Sequence, residues 1–231
     1  MDEQRRLIAR LDGVAQRIER RMQAARLLEM ELAATLMAGF RKLIVGVPRV
    51  RMGDAAPIVR RPVEVVQNGV YHELGVRSFG RGLFSKPSLK GADLTWQKLF
   101  RVEEGDLVFS NIKAWEGAFA VAGHEDHGKV GSHRYLTCVP VSGKATSNFL
   151  WYYLQTKEGL EQVQAASPGS ADRNRTLSQK GLEQVNIPLP SIETQQWFDV
   201  FHAKVATARA RSTESAKDIG HLIQAVLNQV F

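Results

Sequence analysis

The chain has 231 residues, with 31 Lys plus Arg against 24 Asp plus Glu; the formal net charge of +7 suits a polyanionic partner better than an acidic one. Hydrophobic residues make up 44% and charged residues 24%, which speaks against a wholly disordered chain, and no run of about 18 apolar residues marks a spanning helix. Cys138 is the sole cysteine, which excludes an intrachain disulfide or a thiolate zinc cluster; with no apolar signal region after Met1, the expected compartment is the reducing cytoplasm.

From Glu3 to about Phe40 there is no Pro, the only glycines are Gly13 and Gly39, and strong helix formers dominate. Leu7, Leu11, Val14, Ile18, Leu28, Leu32 and Leu36 recur at spacings built from threes and fours. They predict one narrow apolar stripe of the coiled-coil kind on a rod of roughly 57 Å. The composition then changes: Pro48, Pro57 and Pro62 break helix, and glycines punctuate short segments. Strands are predicted at Val63 to Val66, Asp106 to Phe109, Ala118 to Ala122 and Tyr135 to Val141, and short helices at Asn148 to Gln155 and Gly159 to Ala165. Pro188 and Pro190 close this middle segment.

From about Ile192 to Phe231 a second Pro-free helix is predicted. Laid over the first without a gap, it places Phe198 on Leu7, Val205 on Val14, Ile219 on Leu28, Ile223 on Leu32 and Leu227 on Leu36. Agreement over the whole length argues for a repeat, weakest where Arg209 falls on Ile18. The expected class is α+β: a long helix over residues 1–43, a mixed domain over 44–190, and a second helix over 191–231 that pairs antiparallel with the first.

The histidines show no metalloprotease spacing, and no nucleophile elbow is present. Ser78-Phe79-Gly80-Arg81-Gly82 lacks the third glycine and preceding strand of a dinucleotide loop. His124, Glu125, Asp126 and His127 are competent metal ligands by type, but flanking Gly123 and Gly128 favour a solvated turn. No catalytic residue and no metal site is expected. From Arg77 to Arg101, six bases (Arg77, Arg81, Lys86, Lys90, Lys98 and Arg101) stand against Asp93 alone. A second basic cluster, Arg173-Asn174-Arg175, follows a small polar run. Arg and Asn can read guanine and adenine edges by paired hydrogen bonds, and Gly and Ser let backbone amides approach phosphates. Two basic loops without a catalytic set favour nucleic-acid binding over a merely solubilising surface. Trp151 and Trp197 fit packing positions, whereas Trp115 lies between strand-like runs and is as well placed for a ligand as for packing.

Four stretches together resemble the specificity (S) subunits of type I restriction-modification systems. They are Glu3 to Asp12 opening the long helix; Gly105-Asp106-Leu107-Val108-Phe109-Ser110 running on through Ala114-Trp115-Glu116-Gly117; Ser132-His133-Arg134-Tyr135; and Asn186-Ile187-Pro188-Leu189-Pro190 leading through Gln195. The resemblance implies a target recognition domain flanked by two helices that act as an antiparallel ruler. The family has two such domains; this chain has one, so it looks like a carboxy-terminal portion or a half-subunit. It also implies that methylation and cleavage, with their S-adenosylmethionine, ATP and Mg, belong to partner subunits, leaving this chain non-catalytic and without a cofactor of its own.

The implied partners are double-stranded DNA, the modification methyltransferase subunit, the restriction subunit indirectly, and a second copy or second S fragment, with no membrane. The expected DNA contacts are Arg77, Ser78, Arg81, Lys86 and Lys90; Lys113 and Trp115; His133 and Arg134; and Arg173, Asn174 and Arg175. The competing expectation is a coiled-coil adaptor whose basic domain only tethers nucleic acid; an enzyme ranks third.

Overall fold

The computed structural model describes residues 2–94, 98–169 and 175–230, with side chains described there except at 2–4, 7, 8, 10 and 215–230. In chain order it holds α1 (Asp2–Ile44), β1 (Arg49–Arg51), α2 (Met52–Ala55), β2 (Pro62–Val63), β3 (Val70–Tyr71), β4 (Leu74–Val76), β5 (Leu83–Ser85) and β6 (Leu89–Lys90). There follow β7 (Leu99–Arg101), β8 (Leu107–Ser110), β9 (Phe119–Val121), β10 (Val130–Ser132), β11 (Tyr135–Cys138), α3 (Ser147–Gln155), α4 (Lys157–Ala165), α5 (Gln179–Glu183), β12 (Asn186–Pro188) and α6 (Ile192–Val230). The chain divides into two compact units, Met1–Val45 with Trp197–Phe231, and Gly46–Gln196.

In the helical unit, α1 buries Leu36 and Phe40 and half-buries Leu11, Val14, Ile18, Ala25 and Leu32. On α6, Phe198, His202, Val205, Arg209 and Ser212 form a buried to half-buried row at alternating spacings of four and three, the step that keeps a row on one helix face. The Phe40 and Phe198 rings lie 4.9 Å apart, a side chain added at Gly39 would sit 3.5 Å from the Phe201 ring, and Arg209 Nε lies 3.0 Å from Glu29 Oε1.

Two expectations give way here. Leu28, expected in the seam, is 42% exposed; its neighbour Glu29 pairs with Arg209, so this turn of the row is polar. Trp197, expected in packing, is 56% exposed and stacks on Phe201, because it falls one residue off the Phe198 row. Leu7, Ile219, Ile223 and Leu227 lie outside the residues whose side chains are described.

The mixed unit is closed by its own ends. β1 pairs antiparallel with β12, Arg49 opposite Pro188 and Arg51 opposite Asn186. Within it β8 lies between β9 and β11, β7 between β2 and β10, β4 pairs with β5 and β3 with β6, each pair antiparallel. β8, β9 and β11 coincide with predicted strands, and only Val63 of the Val63 to Val66 run is strand. The segment expected as a basic loop, Arg77 to Arg101, instead carries β5, β6 and β7, whose runs of two or three residues are too short to show a period of two.

Leu74, Val102, Val108 and Ala122 form one apolar cluster, and Leu94, Leu99 and Val130 another. The Thr146 side chain caps α3 by accepting the Phe149 amide, and α3 buries Phe149, Leu150, Tyr153 and Leu154 along one face. Thr156 caps α4 in turn. Gly159 is required there because a Cβ would fall 2.2 Å from the Tyr153 carbonyl oxygen.

Three buried polar groups are held by several partners each. The Tyr153 hydroxyl accepts from Arg49 Nη1 (3.1 Å) and Gln162 Nε2 (2.7 Å) and donates to the Asn186 carbonyl (3.1 Å). Gln195, fully buried, donates to the Lys144 and Pro190 carbonyls and accepts the Thr146 amide. Asp106 accepts from both Arg61 Nη atoms at 2.7 and 3.2 Å. In the His124 to His127 turn, His124, Glu125 and His127 are exposed, as expected of a solvated turn, and only Asp126 is buried, accepting from the Gly123 amide and Lys129 Nζ. Among the described residues no cluster of three His, Cys, Asp or Glu side chains is placed to hold a metal, and no helix is long and apolar enough to cross a membrane.

Two outcomes test the helical unit. Phe198→Ala should destabilise it by about 3–5 kcal/mol, and a double-mutant cycle with Phe40→Ala should return a coupling of about 0.5–1.5 kcal/mol in chemical denaturation. Burial, then the charge of Arg209, holds the His202 imidazole below its usual range. The unfolded chain therefore takes the proton more readily, so this contribution is complete above about pH 6.5 and is lost as pH falls below it. Melting temperature should drop between about pH 7.5 and pH 5.5, and His202→Gln should reduce that drop.

Candidate nucleic-acid interface

The turn from Asn111 to Gly117 follows β8 and leads into β9. Its carbonyls, amides and side chains reach three other segments. The first is the tip of the β4–β5 hairpin, residues 77–82. The Phe79 amide donates to the Glu116 carbonyl (2.9 Å), the Gly80 amide to the Gly117 carbonyl (3.0 Å) and Ser78 Oγ to Glu116 Oε2 (2.9 Å). Glu116 Oε1 accepts from Lys113 Nζ at 2.7 Å. That bond, reinforced by Ser78, outweighs partial desolvation and holds the Glu116 carboxyl below its ordinary value.

The second segment is the β10–β11 connection, where the Asn111 amide donates to the Arg134 carbonyl (2.9 Å). His133 and Arg134 are exposed. Their backbone is braced by Arg60, whose guanidinium lies over the Phe100 ring and donates to the His133 and Tyr135 carbonyls. The third is the stretch after α4. The Leu177 amide donates to the Asn111 carbonyl (2.7 Å), and the half-buried Trp115 ring lies close to both Lys113 Nζ (5.2 Å) and the Arg175 guanidinium (4.9 Å). Arg175 Nη2 donates to the Gln164 carbonyl, and Gln164 Nε2 to the Trp115 carbonyl.

The turn thus gathers Ser78, Lys113, Trp115, Arg134 and Arg175, expected from four separate stretches, into one cluster. Trp115 serves packing and surface together, its ring in contact with two cations. Arg77 stacks on Phe84 and donates to the Leu83 carbonyl at the base of the hairpin tip. Exposed Arg81 lies over the Phe79 ring at 5.4 Å.

Lys86 has a different place from the expected one. Its Nζ is 3.0 Å from Glu73 Oε1 and lies over the Tyr135 ring. Burial disfavours its charge, but hydrogen bonds to Tyr135 and Glu73 prevail and raise its pKa, so it acts as an internal brace. Lys90 sits on β6 opposite Val70, with no described hydrogen bond or ring contact to the turn. Arg173 and Asn174 lie outside the described residues. The connectors Asn111, Glu116 and Gln164 are absent from the expected site; Glu116 lies in a stretch singled out for its resemblance, but neither basic charge nor an aromatic ring marks any of the three as a contact. Phe79 does carry a signal, an aromatic beside glycine in a basic run, but the stretch reads first as a failed phosphate loop.

No family model matches this chain, and no curated protein does. Solved structures match its fold. The crystal structure of the HsdS subunit from Thermoanaerobacter tengcongensis superposes with a TM-score of 0.60 at 18% identity, covering 100% of this chain and 58% of that one. A structure from work on complex assembly and conformational transition of the type I R-M system gives 0.59 at 20% identity, covering 98% and 58%. The type I restriction-modification S subunit from M. genitalium gives 0.50 at 13% identity, covering 98% and 59%. The likeness is one of fold, and the chain spans under two thirds of each neighbour's length.

Removing the acid at the centre of the turn should loosen the cluster. Glu116→Gln should speed hydrogen exchange of the Phe79 and Gly80 amides by roughly tenfold, equivalent to about 1.4 kcal/mol of lost local protection, while the amides of β8 and β11 keep their rates.

Proposed function

We propose that this chain is a DNA sequence-specificity subunit of a type I restriction-modification complex. It is a form with one target recognition domain, and the mixed unit binds one half of a split DNA target. The observation that carries this reading is the convergence on the Asn111 to Gly117 turn of basic and aromatic segments far apart in sequence. The whole-chain fold likeness to S subunits supports it. Phosphate contacts from Arg81, Arg134 and Arg175 would position the unit, and base contacts would supply specificity.

The helices pair antiparallel in this reading and dock the modification methyltransferase subunit. The contacts Phe40–Phe198, Gly39–Phe201 and Glu29–Arg209 support the direction, since numbers fall along α1 as they rise along α6. Exposed Met22, Leu27 and Met30 on α1 offer apolar surface to that partner. Methylation and cleavage, with S-adenosylmethionine, ATP and Mg, fall to partner subunits, and the expected compartment is the cytoplasm. A single recognition domain reads one half-site. A second copy would complete a palindromic split target, because two-fold protein symmetry is mirrored in the site.

Binding to duplex DNA should weaken steeply with salt, each phosphate contact adding roughly −0.9 to the log–log slope. Arg81→Ala should flatten the slope by about one such step. Methylation mapping in cells with this chain as sole specificity subunit should return a palindromic split motif. A slope near zero, or a split asymmetric motif with no other S gene present, would contradict the proposal.

A further inference from the structure

Phe79 is the one non-glycine with positive φ among the described residues, at +61°. A bulky L side chain in that region is a strained outlier. Such strain is ordinarily offset by burial, yet the Phe79 residue is 68% exposed at the tip of the β4–β5 hairpin. Glycines follow at Gly80 and Gly82, both also at positive φ, so the tip already uses the residue type that would remove the strain. The backbone is held from below by the Phe79 and Gly80 amides, both bonded to the Asn111 to Gly117 turn. What the arrangement provides is a rigidly mounted aromatic face beside two cations, Arg81 over the ring and Arg77 at the base of the tip.

Resting on the DNA-binding reading, we propose that Phe79 is a wedge that enters bound duplex DNA and stacks on a base face that it unstacks. The chemistry fits a nucleic acid better than a protein groove. The exposed Arg77 and Arg81 bring positive charge to the tip that can meet phosphates while the ring meets a base step, and rigid mounting removes the ordering cost of insertion. The cost of opening the step falls on the DNA, and it is least where pairing is already broken. Phe79 is therefore a stacking and positioning residue for binding, and its strain is retained because the tip must project.

The test compares the full chain with Phe79→Ala, Phe79→Trp and Phe79→Gly on a short duplex of one arbitrary sequence, fully matched or carrying a single mismatch. The parent should bind the mismatched duplex about tenfold more tightly, a difference of about 1.4 kcal/mol. Phe79→Ala and Phe79→Gly should abolish that preference, and Phe79→Trp should keep it. Phe79→Gly should also melt a few degrees higher than the parent, since it releases the strain. Salt-dependent binding with equal affinity for both duplexes, unchanged by Phe79→Ala, would overturn the wedge and leave the DNA reading standing. A lower melting temperature for Phe79→Gly would overturn it too, by making the ring a structural support. A parent that binds no duplex would overturn both.

Discussion

The three-residue ladder between β1 and β12 is the constraint on which the mixed unit depends. Arg49 lies opposite Pro188 and Arg51 opposite Asn186, so the strand that enters the unit and the strand that leaves it are neighbours. A two-stranded pair is marginal in water by itself. Here it is tied down by the buried Tyr153 hydroxyl, which joins Arg49 from the entering strand to Asn186 of the leaving strand and to Gln162 of α4. Removing the Tyr153 hydroxyl would break all three of these links at once. A unit whose ends meet can be inserted in a chain between two long helices with little demand on either.

Gln195 extends the same logic to the start of α6. Its side-chain amide satisfies the Lys144 and Pro190 carbonyls and the Thr146 amide, so the first turn of the helix, the loop before α3 and the segment after β12 share one buried node. Asp106 does the equivalent for the central sheet. It lies just before β8, held by Arg61 and bonded to the Glu103 amide. These nodes are directional, whereas the apolar clusters around Val108 and Leu99 are not. The clusters supply the drive to collapse, and the nodes select which short strands pair.

The Asn111 to Gly117 turn stands one level above this frame. β8 and β9 hold its two ends, and backbone groups left free by the turn bind the hairpin tip, the β10–β11 connection and the stretch before α5. Its polar groups are shared between segments, so the cluster behaves as one body. That rigidity lets the strained Phe79 backbone persist at an exposed tip.

Much of the architecture is legible in local pattern. The two long helices, the three strands of the central sheet and the paired helices α3 and α4 follow from periodicity and composition, because each is long enough or regular enough to carry a signal. The basic and aromatic segments can also be picked out by composition, as Arg81, Trp115, Arg134 and Arg175 show. Strands of two or three residues carry no period, so β3 to β7 and β10 are hidden inside runs that read as loop. Lys86 and Arg81 look alike in sequence, yet one is locked against Glu73 and Tyr135 while the other stays at the surface. Leu28 and Leu36 belong to one stripe, but an ion pair at the position next to Leu28 leaves only Leu36 buried. Composition and spacing thus establish which residues can form helices and which can meet an anion. Which of them come together is settled in the folded chain, because hydrogen bonds and ion pairs between distant segments depend on where backbone donors and acceptors arrive after folding.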